Sequence, residues 1–180
     1  MSNDSTAAGY LTPTGSDPDY GEGLEGTISR WIQGLTGIDA SLVFPLWTAP
    51  QPESPPDNMT WCTFGVTGVQ VDSPPAYIQG DESVAQWSQE TISLTVRFYG
   101  PAGLMTATRL RDGMLVTQNH DELNRAGLAF IQQGGILNVP EQINSLWVRR
   151  YDTSVDLQHK IIRQYGVKTL VQAPVTFFGE

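Results

Sequence analysis

At 180 residues, 39% hydrophobic and only 16% charged, the chain has room for one domain with an appendage and a core of useful size. Its 10 Lys+Arg against 19 Asp+Glu give a formal charge of −9, the reverse of what a phosphate-gripping surface needs. The single cysteine excludes an internal disulfide and a cysteine-built zinc site, and no apolar run approaches the roughly 20 residues that span a bilayer.

Residues 1–23 are mostly Ser, Asp, Gly, Thr and Pro, too polar to offset their own ordering entropy. They are expected to form a flexible acidic arm, with Tyr10, Leu11 and Tyr20 as docking points on a neighbouring subunit. Residues 24–180 are expected to form one folded domain. It opens with a helix, because Leu24, Ile28, Trp31, Ile32 and Leu35 recur at helical spacing and Gly37 is a natural stop. Ser41–Trp47 reads as a short strand that Pro45 confines to an edge, and the prolines at 50, 52, 55 and 56 demand an extended loop. Met59–Val71 is a strand in which Gly65 and Gly68 suggest a bulge. A hairpin-like excursion follows, its turn at Gly80-Asp81.

The stretch Gln89–Met114 organises the chain. Ile92, Leu94, Val96 and Phe98 alternate with Thr91, Ser93, Thr95 and Arg97, the period of a half-buried strand. Tyr99-Gly100-Pro101 then turns a corner, with Pro101 suited to the first helical position. Leu104, Ala107, Leu110 and Met114 follow at one-face helical spacing. Asn119 is placed to cap a further helical turn to Arg125, and Leu128–Gln132 is a short strand ended by Gly134-Gly135. Val139–Asn144 reads as a polar connection. Tyr151, Thr153, Val155, Leu157 and Ile161 define a second long alternating strand, which Gln164-Tyr165-Gly166 is expected to turn. Lys168–Phe178 supplies a last strand, with Pro174 marking an edge. The fold class is α+β: an antiparallel or mixed sheet packed against α-helices, since regular alternation argues against a doubly wound parallel sheet.

Chemistry is hard to find in these residues. His120 reads as a lone surface histidine, and His159 falls on the apolar parity of its strand. Cys62 reads as a small buried hydrophobe. No nucleophile elbow or phosphate-cradling loop occurs. The reading is therefore a non-enzyme with no catalytic residue, no cofactor and no metal. Asp72, Asp81 and Glu82 cluster on one excursion and would repel DNA if they faced a pore. Trp147, Arg149 and Arg150, with Arg163 at the far end of the same strand, carry two readings. An arginine here pairs with a local carboxylate, or the WVRRY patch grips a neighbour, since Trp and Arg are enriched at interface hot spots.

With those features in place, the order of elements resembles a known family. A helix like GTISRWIQGLTG leads to a Pro-rich loop like APQPESPPDN. Then come VRFYGPAGLMTATRLRDGM and the late alternating strand LWVRRYDTSVDLQHKI. This resembles the neck or tail-terminator proteins of tailed bacteriophages, over Leu24 to the C-terminus. The resemblance implies a homo-hexameric ring that caps the completed tail tube, ends its polymerisation and joins the tail to the head connector. It implies as partners copies of the chain itself, the tail tube and sheath proteins and head-completion proteins. DNA would pass through the lumen without sequence-specific binding, and no membrane would be involved. The expected location is the virion tail or neck, assembled in the host cytoplasm, in keeping with the absence of any signal peptide. A head-completion stopper or other connector ring is the nearest alternative. An enzyme or a soluble binding module is the other class.

Overall fold

A computed structural model of the chain describes residues 9–50 and 52–167. They fall into two compact units, the larger built from Asp19–Asp72 and Gln89–Lys160. Its first helix, α1 (Glu22–Thr36), buries Leu24, Ile28, Trp31 and Ile32, and Gly37 closes it in the left-handed region at φ 73°. The start of α1 is capped from outside the expected helix. The Asp19 carboxylate accepts from the Gly21 and Gly23 N–H groups at 2.8 and 3.0 Å, satisfying donors the helix leaves open.

The sheet follows. β1 (Val43–Pro45) lies parallel to β2 (Trp61–Val71), and β2 runs antiparallel to β4 (Ser83–Tyr99) with a bulge between Val66 and Gly68. The strand order continues through β9 (Arg150–Gly166) to β5 (Leu128–Gln133), and the two residues of β6 (Leu137–Asn138) also pair with β9. With β1 parallel and the β2–β4 and β5–β9 pairs antiparallel, the sheet is mixed and the protein α+β. Ile92, Leu94, Val96 and Phe98 are all buried, as strict alternation requires, and so are Thr153, Val155, Leu157 and His159. Full burial of such aliphatic and aromatic groups contributes about 2 kcal/mol each before entropy is counted.

Two helices complete the same core. α2 (Gly103–Gly113) contributes Ala107 and Leu110, with Met114 just beyond, and α3 (Asp121–Arg125) contributes Leu123. Trp31 Nε1 donates to the Asn119 carbonyl at 2.8 Å, tying α1 to the turn before α3. Because the buried residues of β4 from Glu90 to Phe98 and of β9 from Thr153 to Ile161 fall on alternate positions, these helices cover one face. The opposite face of β4 carries Thr91, Ser93, Thr95 and Arg97, with Ser93 Oγ donating to Asp156 at 2.8 Å.

The smaller unit is described by itself. β3 (Ala76–Gln79) pairs antiparallel with the Val84–Trp87 part of β4. The turn between them is closed by Gly80 N–H donating to Ser83 O at 2.7 Å, where the excursion was expected to turn. Pro13 forms a bridge with Tyr165, and Thr14 N–H donates to Gln164 O at 2.8 Å, so residues assigned to the arm carry backbone pairing.

Several local expectations are corrected. Leu104 is 48% exposed, because the buried face of α2 runs through Gly103, Thr106, Ala107 and Leu110. Pro101 therefore sits in the turn that Gly103 N–H closes onto Gly100 O, not in the first helical turn. Asn119 does not cap α3; its amide donates to Gly113 O at 2.9 Å and so closes the end of α2. Gln164-Tyr165-Gly166 continues β9. Val139–Asn144 contains a strand, β7 (Glu141–Ile143), which pairs with β8 (Leu146–Val148) in a separate two-stranded sheet. The strand expected over Lys168–Phe178 lies outside the described residues.

Gly100 is the tightest point of the fold. Its φ is 90°, which L side chains rarely adopt, and a Cβ there would collide with the Met59 carbonyl. Gly100→Val is expected to cost at least about 2 kcal/mol in a urea melt, from strain plus displaced backbone. A loss under about 0.5 kcal/mol would show that the corner is not constrained.

Candidate functional site

The corner at Gly100 and the WVRRY stretch, separate in sequence, meet through the backbone. Gly100 N–H donates to the Arg149 carbonyl at 3.1 Å, while Ala102 N–H donates to Thr60 Oγ1 at 3.0 Å. Around this junction lies a second apolar cluster of Trp61, Tyr99 and Val148, with Leu42, Phe44 and Ile143 packed against it. The Trp61 and Tyr99 rings stack with centroids 3.9 Å apart and planes 5° from parallel. Ile143 and Val148 thus seat the β7–β8 hairpin on an aromatic base. Its turn is made by Asn144 and Ser145, both at positive φ (48° and 67°), the backbone that matches the twist of a two-residue hairpin.

Gln142 and Trp147, the pair on the hairpin's other face, stay exposed. Trp147 is 73% exposed and Leu146 55%. Beside them lies an open groove of about 450 Å³, lined by Asp57, Gly100, Pro101, Trp147 and Arg149 among others. Trp147 is thus a large aromatic left in water on a hairpin whose other face is fixed to the aromatic base.

Arg150 holds the hairpin from beneath. Its Nε and Nη2 donate to the two carboxylate oxygens of Asp152 at 2.8 and 3.0 Å, a bidentate pair, and Nη1 donates to Glu141 Oε2 at 2.7 Å. The Tyr99 hydroxyl donates to the same Glu141 oxygen at 3.1 Å, and Arg97 Nε lies 3.8 Å from Asp152 Oδ2. The Arg150 side chain is 15% exposed. Burial works against its charge, yet the hydrogen bonds to Glu141 and Asp152 win and hold its pKa above the ordinary arginine value. The bond from Arg150 holds the Glu141 carboxyl below the usual range, and burial, reinforced by Glu141, raises the Tyr99 hydroxyl. Of the two readings of the arginines, local pairing describes Arg150. Arg149 beside it is exposed.

The remaining candidates lie elsewhere. Arg163 is in the smaller unit, 4.0 Å from Asp17. Asp72 belongs to the larger unit and accepts from the Thr91 hydroxyl at 2.6 Å, whereas Asp81 and Glu82 sit exposed at the β3–β4 turn of the smaller one. His120 is not a free surface group. Its Nε2 lies 2.7 Å from the Met114 carbonyl, and its ring rests on Phe130 with centroids 5.3 Å apart. His159 is buried edge-on to Tyr20, whose hydroxyl donates to Glu90 at 2.6 Å; burial lowers its pKa while Glu90 opposes the shift. Cys62 is fully buried, which raises its thiol pKa and makes it a poor nucleophile. Among the described residues no group of His, Cys, Asp and Glu converges as metal ligands, and no described helix is long and apolar enough to cross a membrane.

The family comparison gives this arrangement its setting. The family model for the phage neck terminator protein matches residues 22–180. The chain belongs to the phage neck terminator family. No curated protein matches it. Family membership makes it a structural protein of a phage, placed in the tail or neck of the virion among other phage head and tail proteins. The match runs through the helix, the Gly100 corner and the Arg150 strand alike, so the features that carried the resemblance lie within the family's domain.

Replacing Arg150 with Met in this neck terminator protein removes a charge from between two carboxylates. The loss is expected to be about 2 kcal/mol by denaturant titration, below the 3–5 kcal/mol of a fully buried broken pair because Glu141 stays 41% exposed. Because folding depresses the Glu141 pKa, its stabilising share is present at neutral pH. That share should fade as pH falls below about 4.3, the ordinary glutamate value, and through the lower folded one. The wild-type protein should therefore lose stability more steeply than Arg150→Met in that acid range. Parallel pH curves would rule out the Glu141–Arg150 pair as the source.

Proposed function

We propose that this protein forms a closed homo-hexameric ring on the end of the tail tube, stops the tube's polymerisation and presents a surface for the head connector. The observation that carries this reading is an exposed apolar hairpin, led by Trp147, seated on a paired ionic base in a chain of the neck terminator family. Truly free-standing monomers have little reason to hold a tryptophan 73% in water on a braced support. Trp147 and Arg149 are the contacts to the neighbouring subunit, and Arg150 is the strut that positions them. Residues 24–180 are the ring-forming domain. Residues 1–23 act as an arm that docks on the next subunit, with Tyr10, 93% exposed, and Leu11, 42%, as its apolar points.

The lumen is acidic in this reading. With a net charge of −9 and Asp81 and Glu82 exposed at a turn, the ring lets DNA through by repulsion, without reading sequence. Asp72 is tied to Thr91, and Arg163 lies near Asp17. The partners are the tail tube and sheath proteins on one side and head-completion proteins on the other, assembled in the host cytoplasm. The work is geometric, and no residue is assigned to catalysis.

Tail length tests the role. Phage particles made without the protein should show tubes of variable, overgrown length by electron microscopy. Tails of normal length that fail to join heads would make it a stopper instead. For the surface, Trp147→Asp combined with Arg149→Glu should yield folded monomers by circular dichroism and native mass spectrometry. Rings of unchanged mass would remove these two residues from the interface.

A further inference from the structure

Beside the β7–β8 hairpin lies a groove of about 340 Å³, walled by Phe44, Trp47, Ile143 and the stacked rings of Trp61 and Tyr99. Thr63 and Arg97 line it from β2 and β4, where they stand directly opposite each other and so share one face of the sheet. Two of their polar atoms lack a hydrogen bond. Thr63 is 5% exposed, and neither its Oγ1 nor Arg97 Nε has a partner among the described residues. Asp152 Oδ2 lies 3.8 Å from Arg97 Nε, too far for a hydrogen bond, and both Asp152 oxygens already accept from Arg150. Buried donors left in this state are rare, and here they mark a missing acceptor.

The acceptor that fits carries no charge. Around the groove Arg97 and Arg150 face Glu141 and Asp152, two cations to two carboxylates, and the exposed Glu53 in the lining adds a further negative charge. An entering carboxylate would upset that balance, whereas a neutral oxygen matches the donors and leaves it intact. Trp47 fixes one wall. Its φ is 60°, which bulky residues rarely adopt, and its ring lies so close on Gly65 that a Cβ there would sit 2.7 Å from it. The walls suit an aromatic ring and the donors suit a neutral oxygen. A tyrosine side chain has both, whereas a tryptophan only donates.

We infer that Tyr10 of a second copy seats in this groove, its ring against Trp47 and Trp61 and its phenol oxygen accepting from the Arg97–Thr63 pair. Tyr10 is 93% exposed, and backbone pairing anchors the arm three residues further on, where Pro13 bridges to Tyr165. From that anchor it can reach about 10 Å. Tyr77 offers the same chemistry at 64% exposure but is held in β3 against β4. Each copy gives one peg and one groove, a head-to-tail contact of the kind that closes into a ring. This rests on the ring reading and names the receptor of its arm.

The test is a photo-cross-link in the full chain. Copies carrying Tyr10→benzoylphenylalanine are coexpressed with tagged wild-type copies and irradiated. Tagged–untagged pairs are expected, with the link mapped by peptide mass spectrometry to Phe44, Trp47 or Trp61. Tyr10→Phe keeps the ring and removes the oxygen, and should weaken ring assembly about tenfold. In an Arg97→Gln background the same change should add less than about twofold, since the pairing is already lost. The cross-link map decides even where Arg97→Gln fails to fold. If native mass spectrometry shows a ring but the links fall elsewhere on the neighbour, the groove is not the receptor and the ring stands. Links confined to one chain would mean that the arm folds back on its own copy, and the inference fails. Unchanged assembly of Tyr10→Phe would overturn the pairing with Arg97 and Thr63. If the unmodified protein forms no ring at any concentration, the ring reading falls and this contact with it.

Discussion

Arg150 sits where three stretches of backbone meet, and its guanidinium is what makes their meeting tolerable. Glu141 comes from the β7–β8 hairpin, Asp152 from the start of the long β9 strand, and Tyr99 from the end of β4. Two carboxylates brought this close would repel one another and would lose water on packing against Trp61 and Tyr99. One bidentate and one single hydrogen bond from Arg150 offset both costs. Without that cation the hairpin's polar root would open, and the stacked aromatics beneath it would be wetted. The bond from Gly100 N–H to Arg149 O carries the constraint into the corner where strand becomes helix. Core, corner and outward tryptophan are thereby one mechanical unit.

The two faces of the sheet divide the labour. On one, Ile92, Leu94, Val96, Phe98, Val155 and Leu157 meet the apolar sides of α1, α2 and α3, and this burial holds the fold. On the other, Ser93 and Gln132 both donate to Asp156 at 2.8 Å, and Arg97 approaches Asp152. Ser93, Gln132 and Asp156 of that face are thus engaged with one another. What this surface offers is shape and an exposed aromatic, which are the resources of assembly.

Much of this was legible in the sequence because it is local. The alternation of Ile92 to Phe98 and of Thr153 to Ile161 fixes which side chains enter the core, and Gly100 announces a corner only glycine can turn. The bulge beside Gly68 and the turn at Gly80 follow from the same backbone arguments. What stayed hidden depends on partners far along the chain. The β7–β8 hairpin has strands of three residues and turns at Asn144-Ser145 without a glycine, so neither periodicity nor turn chemistry signals it. Arg150 and Arg149 are indistinguishable in sequence; only the fold shows that one is clasped between carboxylates and its neighbour faces water. Asn119 lies between two helices, and its side chain closes the one before it rather than capping the one after it.

The account stands on the claim that the hairpin is held out in order to be covered. Hydroxyl-radical footprinting of Trp147, compared between the isolated folded chain and the intact virion, tests it most directly. The account predicts heavy labelling in the free chain, in line with 73% exposure, and strong protection in the particle. Equal labelling in both would mean that this surface meets nothing in the neck, and the assembly role assigned to it would be wrong.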